Sequence, residues 1–224
     1  MNTLWVFVVL SFASVCQPAP LVCDKLATQI ENSPDLSGRW HYIAVSTKVC
    51  LPIVLLNSII WPSVEVDIAP KETPKHYAVQ VRAKLYGVCV NESEEYFYEN
   101  SKIFGVNSEN APIGDPDVLL HTSCSDCIVV MDNDTTMSTL SLLSRRTAVS
   151  EAELKEFETQ AQCNQFSKPQ ILNTDLDFNN CQDMGDLSDD QSLAFLSRMY
   201  ERMKSSKQDV FNCLSNILQS YISS

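Results

Sequence analysis

The sequence has little glycine and little histidine, and these shortages bear on catalysis and metal binding. Its 224 residues include only five glycines and three histidines. His41, His76 and His121 have no metal-ligand spacing, and the chain contains neither a G-x-S-x-G nor an H-E-x-x-H motif. We therefore expect no metal site, no cofactor and no enzymatic activity.

Positive charge is scarce as well. The chain has 16 Lys and Arg residues against 28 Asp and Glu residues, which gives a formal net charge of -12. Such a charge repels phosphate backbones and anionic lipid surfaces, so nucleic acid is excluded as a partner. A negative field mildly favours cationic ligands, but acidic secreted proteins commonly carry this charge for solubility alone.

The N-terminus carries the one long apolar run. Leu4 to Val15 is a nearly unbroken apolar run of about a dozen residues, which is too short to span a bilayer and is typical of a secretory signal. We predict a signal peptide over residues 1–19, with cleavage between positions 16 and 20; the alternative is an uncleaved anchor. No later segment is apolar enough to predict an integral membrane helix.

The cysteines agree with export. The chain has nine, and Cys16 falls within or beside the signal, so an even number remains for disulfides in an oxidising compartment. Two sequons, which begin at Asn91 and Asn133, predict N-glycans. The remaining cysteines are Cys23, Cys50, Cys89, Cys124, Cys127, Cys163, Cys181 and Cys213.

Short β-branched and aromatic runs recur at roughly ten-residue spacing, separated by turn residues, which predicts an all-β domain. The period of two is clearest over 64–68 and 77–85, where apolar side chains alternate with charged ones. Counting the strand that begins at Gly38, eight strands are predicted; the other five lie near 94–99, 102–106, 118–123, 128–131 and 137–143.

The period then changes to that of a helix. Ser150 to Glu153 forms a capping box, with Val149 and Leu154 placed as a hydrophobic staple, so a helix is predicted from 150 to about 162. A second capping box at Ser188 to Gln191 opens a long amphipathic segment. Its apolar stripe consists of Leu193, Leu196, Met199, Met203, Val210, Leu214, Ile217 and Tyr221.

Leu36-x-Gly38-x-Trp40, at the start of the first strand, resembles the first signature of the lipocalins. Ser125-Asp126-Cys127 resembles the second signature, and Arg145-Arg146 lies where the third places an arginine against the Trp, a cation–π pair. The resemblance implies an eight-stranded up-and-down antiparallel lipocalin barrel with a C-terminal α-helix packed on it, followed here by the additional long amphipathic helix. Either arginine can be the one that contacts Trp40.

Within the family, LLSRRTAVSEAELKEFETQAQC followed by Cys181 resembles α1-acid glycoprotein (orosomucoid) and apolipoprotein M, and also the fish plasma proteins that bind saxitoxin, tetrodotoxin or tributyltin. The likeness covers about 23–181, which we take as the lipocalin domain, and leaves 182–224 as an amphipathic helical extension. It implies secretion into blood plasma and two disulfides, Cys23–Cys163 and Cys89–Cys181.

The other four cysteines allow three pairings. Because β-strands extend about 3.3 Å per residue, Cys50 lies at or beyond the barrel end opposite Gly38. Cys124 and Cys127 flank the turn between the sixth and seventh strands, which its resemblance to the second lipocalin signature places at the Gly38 end. A disulfide needs Cα atoms within about 7 Å, which favours Cys50–Cys213 and Cys124–Cys127. Two free thiols at Cys124 and Cys127 are the alternative to the second bridge; a redox role for that C-x-x-C is less consistent with a secreted chain.

The expected ligand-binding wall follows from the strand periods and from the resemblance. If Trp40 faces inward, so do Tyr42, Ala44 and Ser46, and the apolar sets of the next two strands face inward because their alternates are charged. These sets are Val64, Val66, Ile68, Val79, Val81, Ala83 and Leu85. By resemblance, Tyr96, Tyr98, Val129, Met131, Ser141 and Leu143 complete the wall, while Gly38, Trp40, Asp126, Arg145 and Arg146 form the barrel-floor signature.

A mostly aliphatic wall with Tyr and Ser hydroxyls predicts transport of a small hydrophobic or amphiphilic ligand: a lipid, a steroid, a drug-like xenobiotic or a toxin. A guanidinium toxin would need an acidic group inside, and Glu65 and Asp67 alternate outward, although Glu94 and Glu95 near the rim supply charge. The alternative is an interaction or lipoprotein-associated scaffold that works through the C-terminal amphipathic segment.

Overall fold

The computed structural model describes residues 19–60, 62–132, 137–172, 176–183 and 187–222. The predicted signal peptide, apart from its last residue, and the predicted glycosylation site Asn133 lie outside the described residues. Within those ranges, no helix has the length and apolar character needed to cross a bilayer.

Eight strands form one closed barrel. Consecutive strands pair antiparallel from β1 to β8, and β8 returns to pair with β1. The predicted eight-stranded up-and-down antiparallel barrel is thus confirmed. The strands are β1 (Gly38–Thr47), β2 (Ser63–Pro70), β3 (His76–Leu85), β4 (Val88–Glu99), β5 (Lys102–Val106), β6 (Pro112–Leu120), β7 (Cys127–Asp132) and β8 (Thr139–Ser144).

Two short strands attach the C-terminal part of the chain to the barrel. β9 (Gln170–Ile171) pairs with Ala44 and Val45 of β1, and β10 (Gln182–Asp183) pairs in parallel with the start of β4. A 3₁₀ turn, Phe178–Asn180, lies between them, and the ring of Phe178 contacts the guanidinium of Arg82. Residues 170–171 therefore lie against β1, and residues 176–183 lie against β3 and β4.

Five helices are described: α1 (Ala19–Leu26), α2 (Cys50–Ile59), α3 (Glu151–Cys163), α4 (Asp189–Ser205) and α5 (Lys207–Ile222). Both predicted capping boxes are formed, at Ser150 and at Ser188. The predicted long C-terminal helix is divided into α4 and α5 at Ser206. There the hydroxyls of Ser205 and Ser206 both donate to the carbonyl of Arg202, a bond that competes with continued helical pairing.

Helix α2 was not predicted, because its sequence CLPIVLLNSI is apolar on all sides and contains Pro52. Pro52 falls in the first turn of the helix, where a proline costs no intrahelical hydrogen bond. The helix connects the end of β1 to the start of β2. It therefore lies at the barrel end opposite Gly38, which is the open end of the barrel.

Three groups of buried apolar side chains hold these elements together. One fills the barrel around Trp40 and Leu119, and a second lies between the outer wall of β1, β7 and β8 and the Phe157 face of α3. The third joins α2 to α5 through Ile53, Val54 and the disulfide-bonded Cys213. The barrel is thus packed on both faces where α3 covers it.

Candidate ligand-binding site

Trp40 closes one end of the barrel. Its indole N–H donates to the Leu36 carbonyl at 2.8 Å, and the guanidinium carbon of Arg145 lies 4.1 Å from the ring centroid. Arg145 also donates to the carbonyl of Ser37 at 2.7 Å. This cation–π contact fixes the entry of the chain into β1. Arg145, and not Arg146, is the arginine that lies against Trp40.

Gly38 is required at this floor for two reasons. Its φ of +96° is a conformation that residues with a side chain rarely adopt. A Cβ at this position would also stand 2.9 Å from a guanidinium nitrogen of Arg145. The glycine therefore lets the arginine lie across the start of β1.

Arg146 points to the outer side of the barrel floor. Its guanidinium lies 2.7 Å from a Glu153 carboxylate oxygen and 3.5 Å from one of Asp126. It also lies 3.3 Å from the sulfur of Cys124. Arg146 and Asp126 therefore join the turn between β6 and β7 to the first turn of α3, outside the barrel.

Above the floor, the barrel holds a partly open cavity of about 120 Å³. Aliphatic side chains and tyrosines form nearly all of its wall, with one carboxylate among them. The lining residues are Leu36, Tyr42, Val66, Ile68, Tyr77, Val79, Val81, Tyr96, Tyr98, Ile103, Asp117, Ile128, Val130 and Leu143.

Many of the residues assigned to the wall from the sequence line this cavity. They come from β1 to β4 and from β8: Tyr42, Val66, Ile68, Val79, Val81, Tyr96, Tyr98 and Leu143. Val64, Ala83 and Leu85 lie farther along the same strands toward the open end and are half-buried, outside the cavity lining. Ser141 is buried opposite Val130 in the β7–β8 register, so it shares the inner face without touching the cavity.

The inward placement of Ala44 is wrong. The β1–β8 register shifts between Tyr42 and Ala44, and this irregularity reverses the face on which the following residues lie. Ala44 is fully buried, but it packs in the outer group with Phe157 of α3.

The inward placement of Val129 and Met131 is also wrong. Ile128 and Val130 of β7 line the cavity, so their alternates Val129 and Met131 face α3. The sequence of β7 is apolar on both faces because both faces are buried. Alternation alone could not give its phase, and the resemblance gave the wrong one.

Sequence analysis missed several residues that line the cavity. Of these, Asp117 matters most for the chemistry of the site. Pro112, Gly114 and Pro116 are typical of a loop, so the strand was predicted to begin only at Val118, and Asp117 was assigned to neither face. The structure extends β6 back to Pro112, with Asp117 opposite Ile103 of β5. Tyr77, whose strand period was recognised, also lines the cavity.

Burial, and then the negative charge of Asp132, raises the pKa of the Asp117 carboxyl to about 6. Burial also raises the pKa of Tyr42 to about 12, with further contributions from Asp117, Glu94 and Asp132. The pKa of Tyr96 is raised by burial and by the hydrogen bond that its hydroxyl donates to Glu94. The negative charges of Asp117, Glu94 and Asp132 thus act together at Tyr42.

The open end is tied to the C-terminal helices. A disulfide joins Cys50 of α2 to Cys213 of α5, and the Arg202 side chain of α4 donates to the Asn57 carbonyl of α2 at 3.1 Å. The Tyr86 hydroxyl, from the β3–β4 turn, donates to the Ile59 carbonyl at 2.8 Å. Helix α2 is therefore held from two sides.

Three further disulfides join other parts of the chain. Cys23 of α1 is bonded to Cys163 of α3, and Cys89 of β4 to Cys181 beside β10. Cys124 and Cys127 are bonded to each other across the turn before β7. The pairs are those expected from the sequence, with no free thiol among these eight cysteines.

The predicted glycosylation site Asn91 is exposed in β4, opposite Arg82 of β3. Because Val81 and Val79 line the cavity, the alternate residue Arg82 and its partner Asn91 face outward. A glycan at Asn91 would extend from the outer wall without entering the cavity.

The ApoM domain family matches residues 6–185 of this chain. No curated protein sequence matches it. Among solved structures, the siderocalin Ex-FABP, described as functioning through dual ligand specificities, aligns with a TM-score of 0.50 and 14% identity over 63% of this chain and 95% of its own. A dog lipocalin allergen aligns with a TM-score of 0.46 and 16% identity over 66% of this chain and 99% of its own.

Proposed function

Because the chain belongs to the ApoM domain family of the lipocalins, we propose that it is a secreted carrier that binds one small hydrophobic or amphiphilic ligand inside the barrel. The observation that carries this proposal is the barrel cavity walled by aliphatic side chains and tyrosines. A small barrel either fills its interior with side chains or holds one small ligand. This interior retains space, which favours the second case.

Three further features support the extracellular part of the proposal. Four disulfides are typical of an oxidising compartment. Asn91 offers an exposed glycan acceptor on the outer wall, and the sequence begins with a segment typical of a secretory signal. We further propose that the protein circulates in blood plasma and that it is a carrier and not an enzyme. We also propose that it is related to the orosomucoid-like and toxin-binding lipocalins.

The size of the cavity indicates which ligands to test first. A volume of about 120 Å³ equals that of about four water molecules at ~30 Å³ each. An engineered apolar cavity of ~150 Å³ in another protein accepts benzene. Phenyl-sized compounds are therefore suitable probes for the interior as it stands.

We expect 2-phenylethanol, a neutral probe, to shift the NMR signals of the Val79, Val81 and Leu143 methyl groups. Val81→Trp fills most of the cavity and should abolish saturable binding. Gln80→Trp adds the same side chain one residue away on the outer face, and it should bind the probe as the native chain does.

Far-UV circular dichroism of both variants checks that the barrel is intact. Unchanged binding by Val81→Trp, or saturable shifts confined to methyl groups outside the barrel, would show that the cavity is not the binding site.

A second function is favoured by the C-terminal helices. Leu193, Leu196, Tyr200 and Met203 recur at helical spacing on α4, and each is at least 48% exposed. On α5, Val210 and Ile217 pack against α2, whereas Phe211, Leu214 and Leu218 are exposed. We propose that this exposed apolar face adsorbs to a lipid surface such as that of a lipoprotein.

Flotation with zwitterionic phosphatidylcholine vesicles tests the second function. The native chain should float with the vesicles, and Leu196→Glu should weaken adsorption several-fold because it places a charge on the exposed apolar face. Ser197→Glu adds the same charge beside it and should have little effect. Equal loss in both variants, or no flotation of the native chain, would rule out this surface.

A further inference from the structure

We propose that Cys124, Cys127 and Glu153 form a zinc site when the disulfide between the two cysteines is reduced. The site lies outside the barrel, beside its closed end, so this inference goes beyond the proposed function and does not depend on it. It rests on two sulfurs and one carboxylate that a turn and the start of a helix bring together, and on the cation that already contacts them.

The three ligand atoms lie close together. Sγ of Cys124, Sγ of Cys127 and a carboxylate oxygen of Glu153 are within 4.8 Å of one another. With Zn–S distances of about 2.3 Å and Zn–O distances of about 2.0 Å, the ligands of a tetrahedral zinc ion stand roughly 3.5–3.8 Å apart. Two cysteines separated by two residues are a recurrent zinc-binding pair, and thiolates favour zinc over magnesium or calcium. The donor set therefore selects zinc.

Backbone hydrogen bonds hold the cysteine turn in place independently of the disulfide. The Cys127 N–H donates to the Cys124 carbonyl at 3.3 Å, and the Cys124 N–H donates to the Thr122 hydroxyl at 3.2 Å. The Arg145 N–H donates to the Asp126 carbonyl at 2.9 Å, which ties the turn to the end of β8. We therefore expect the turn to persist when the disulfide is reduced.

Glu153 is positioned by the capping box of α3. Its Oε2 accepts from the Ser150 backbone N–H at 2.6 Å and from the Ser150 hydroxyl at 2.9 Å. Its Oε1 lies 2.7 Å from Nη2 of Arg146, and the same nitrogen lies 3.3 Å from Sγ of Cys124. One oxygen therefore caps the helix, and the other is on the side of the cysteines.

Arg146 shows that these groups attract a cation. Its guanidinium contacts Glu153, Asp126 and Cys124, and its side chain is 43% exposed, so it can move into solvent. After reduction, two thiolates and one carboxylate carry more negative charge than one guanidinium neutralises. A divalent ion neutralises more of this charge and binds the sulfurs directly, with a water molecule as its fourth ligand.

Reduction of this disulfide needs a dithiol, a class that includes thioredoxin-like proteins and dithiothreitol. One reductant sulfur attacks Cys127, the S–S bond breaks, and Cys124 leaves as a thiolate, which the Arg146 guanidinium stabilises. The second reductant sulfur then displaces Cys127. The reductant becomes a disulfide, and the chain gains two electrons and two protons as two thiols. When Zn²⁺ binds, both thiol protons pass to solvent.

The first measurement identifies which disulfide opens. The full chain is treated with increasing dithiothreitol under nitrogen, free thiols are alkylated, and the labelled peptides are mapped. Cys124 and Cys127 should be labelled while the other three disulfides remain intact, because a stabilised leaving thiolate accelerates exchange. Earlier labelling of another pair would overturn the proposal, since the site would not then form in the disulfide-linked chain.

The second measurement adds Zn²⁺ to the selectively reduced chain in the presence of a chromophoric chelator. The reduced chain should take one Zn²⁺ from the chelator, and the oxidised chain should take none. Co²⁺ in place of zinc should produce a thiolate-to-cobalt charge-transfer band, which carboxylates alone do not give. Equal competition by the oxidised chain, or none by the reduced chain, would contradict the proposal.

Glu153→Gln tests the third ligand, because glutamine at this position also completes a capping box and leaves the start of α3 intact. It should weaken zinc binding to the reduced chain roughly tenfold or more. Glu151→Gln makes the same change at an exposed position in the first turn of α3 and should bind zinc as the native chain does. If Glu153→Gln binds zinc as tightly as the native chain, the three-ligand site is wrong. Ligand binding in the barrel is tested separately, since the two sites share no residue.

Discussion

At the scale of single residues, the floor of the barrel shows two adjacent arginines with different roles. Arg145 lies on the Trp40 ring and donates to the Ser37 carbonyl, whereas Arg146 pairs with carboxylates outside the barrel. The sequence places both beside the floor but cannot separate them. The structure distinguishes the two arginines: β8 ends at Ser144, and the side chain of the next residue, Arg145, lies on the Trp40 ring.

We predict that Arg145→Met lowers the free energy of unfolding by about 1–2 kcal/mol, because it removes a cation–π contact and a charged hydrogen bond. Arg146→Met removes exposed ion pairs and should cost less than about 1 kcal/mol. Urea denaturation followed by tryptophan fluorescence measures both values. A larger cost for Arg146→Met would contradict the assignment of Arg145 to the floor.

At the scale of elements, the period of two was enough to identify the inner face of a strand whose outer face carries polar and charged residues. In β3, Val79 and Val81 alternate with Gln80 and Arg82, and the valines line the cavity as predicted. In β7 both faces are apolar, because α3 covers the outside, so the pattern carries no phase. A covering helix thus removes the signal by which an inner face is recognised.

Local irregularities set the other limits on prediction. The shift after Tyr42 that turns Ala44 outward leaves no mark in the sequence of β1. Because Pro112, Gly114 and Pro116 are typical of a loop, the first half of β6 was not predicted to be a strand. Asp117, the acidic residue of the cavity, was therefore missed. The cavity wall was therefore predictable where the strands are regular. Its one acidic residue among those described as lining the cavity was not predicted, because it lies in an irregular strand.

At the scale of the whole molecule, the barrel is closed at one end by Trp40 and bounded at the other by helices that the disulfides hold in place. The Cys50–Cys213 bond spans 163 residues and joins α2 to α5. Helix α2 in turn connects β1 to β2 at the open end. Movement of a ligand in or out of the barrel therefore involves an element that is tethered to the C-terminus.

We predict that replacing Cys50 and Cys213 together with serine lowers the free energy of unfolding by about 2–4 kcal/mol, since a long closed loop is released. It should also accelerate dissociation of 2-phenylethanol several-fold, because α2 loses its covalent tether to α5 while the cavity wall is unchanged. Line broadening of the ligand signals in NMR measures the dissociation rate. The matched control replaces Cys124 and Cys127, whose bond closes a short turn at the floor; ligand exchange should then keep its native rate. If both double variants release the probe equally fast, the ligand does not pass α2, and the open end is not its route into the barrel.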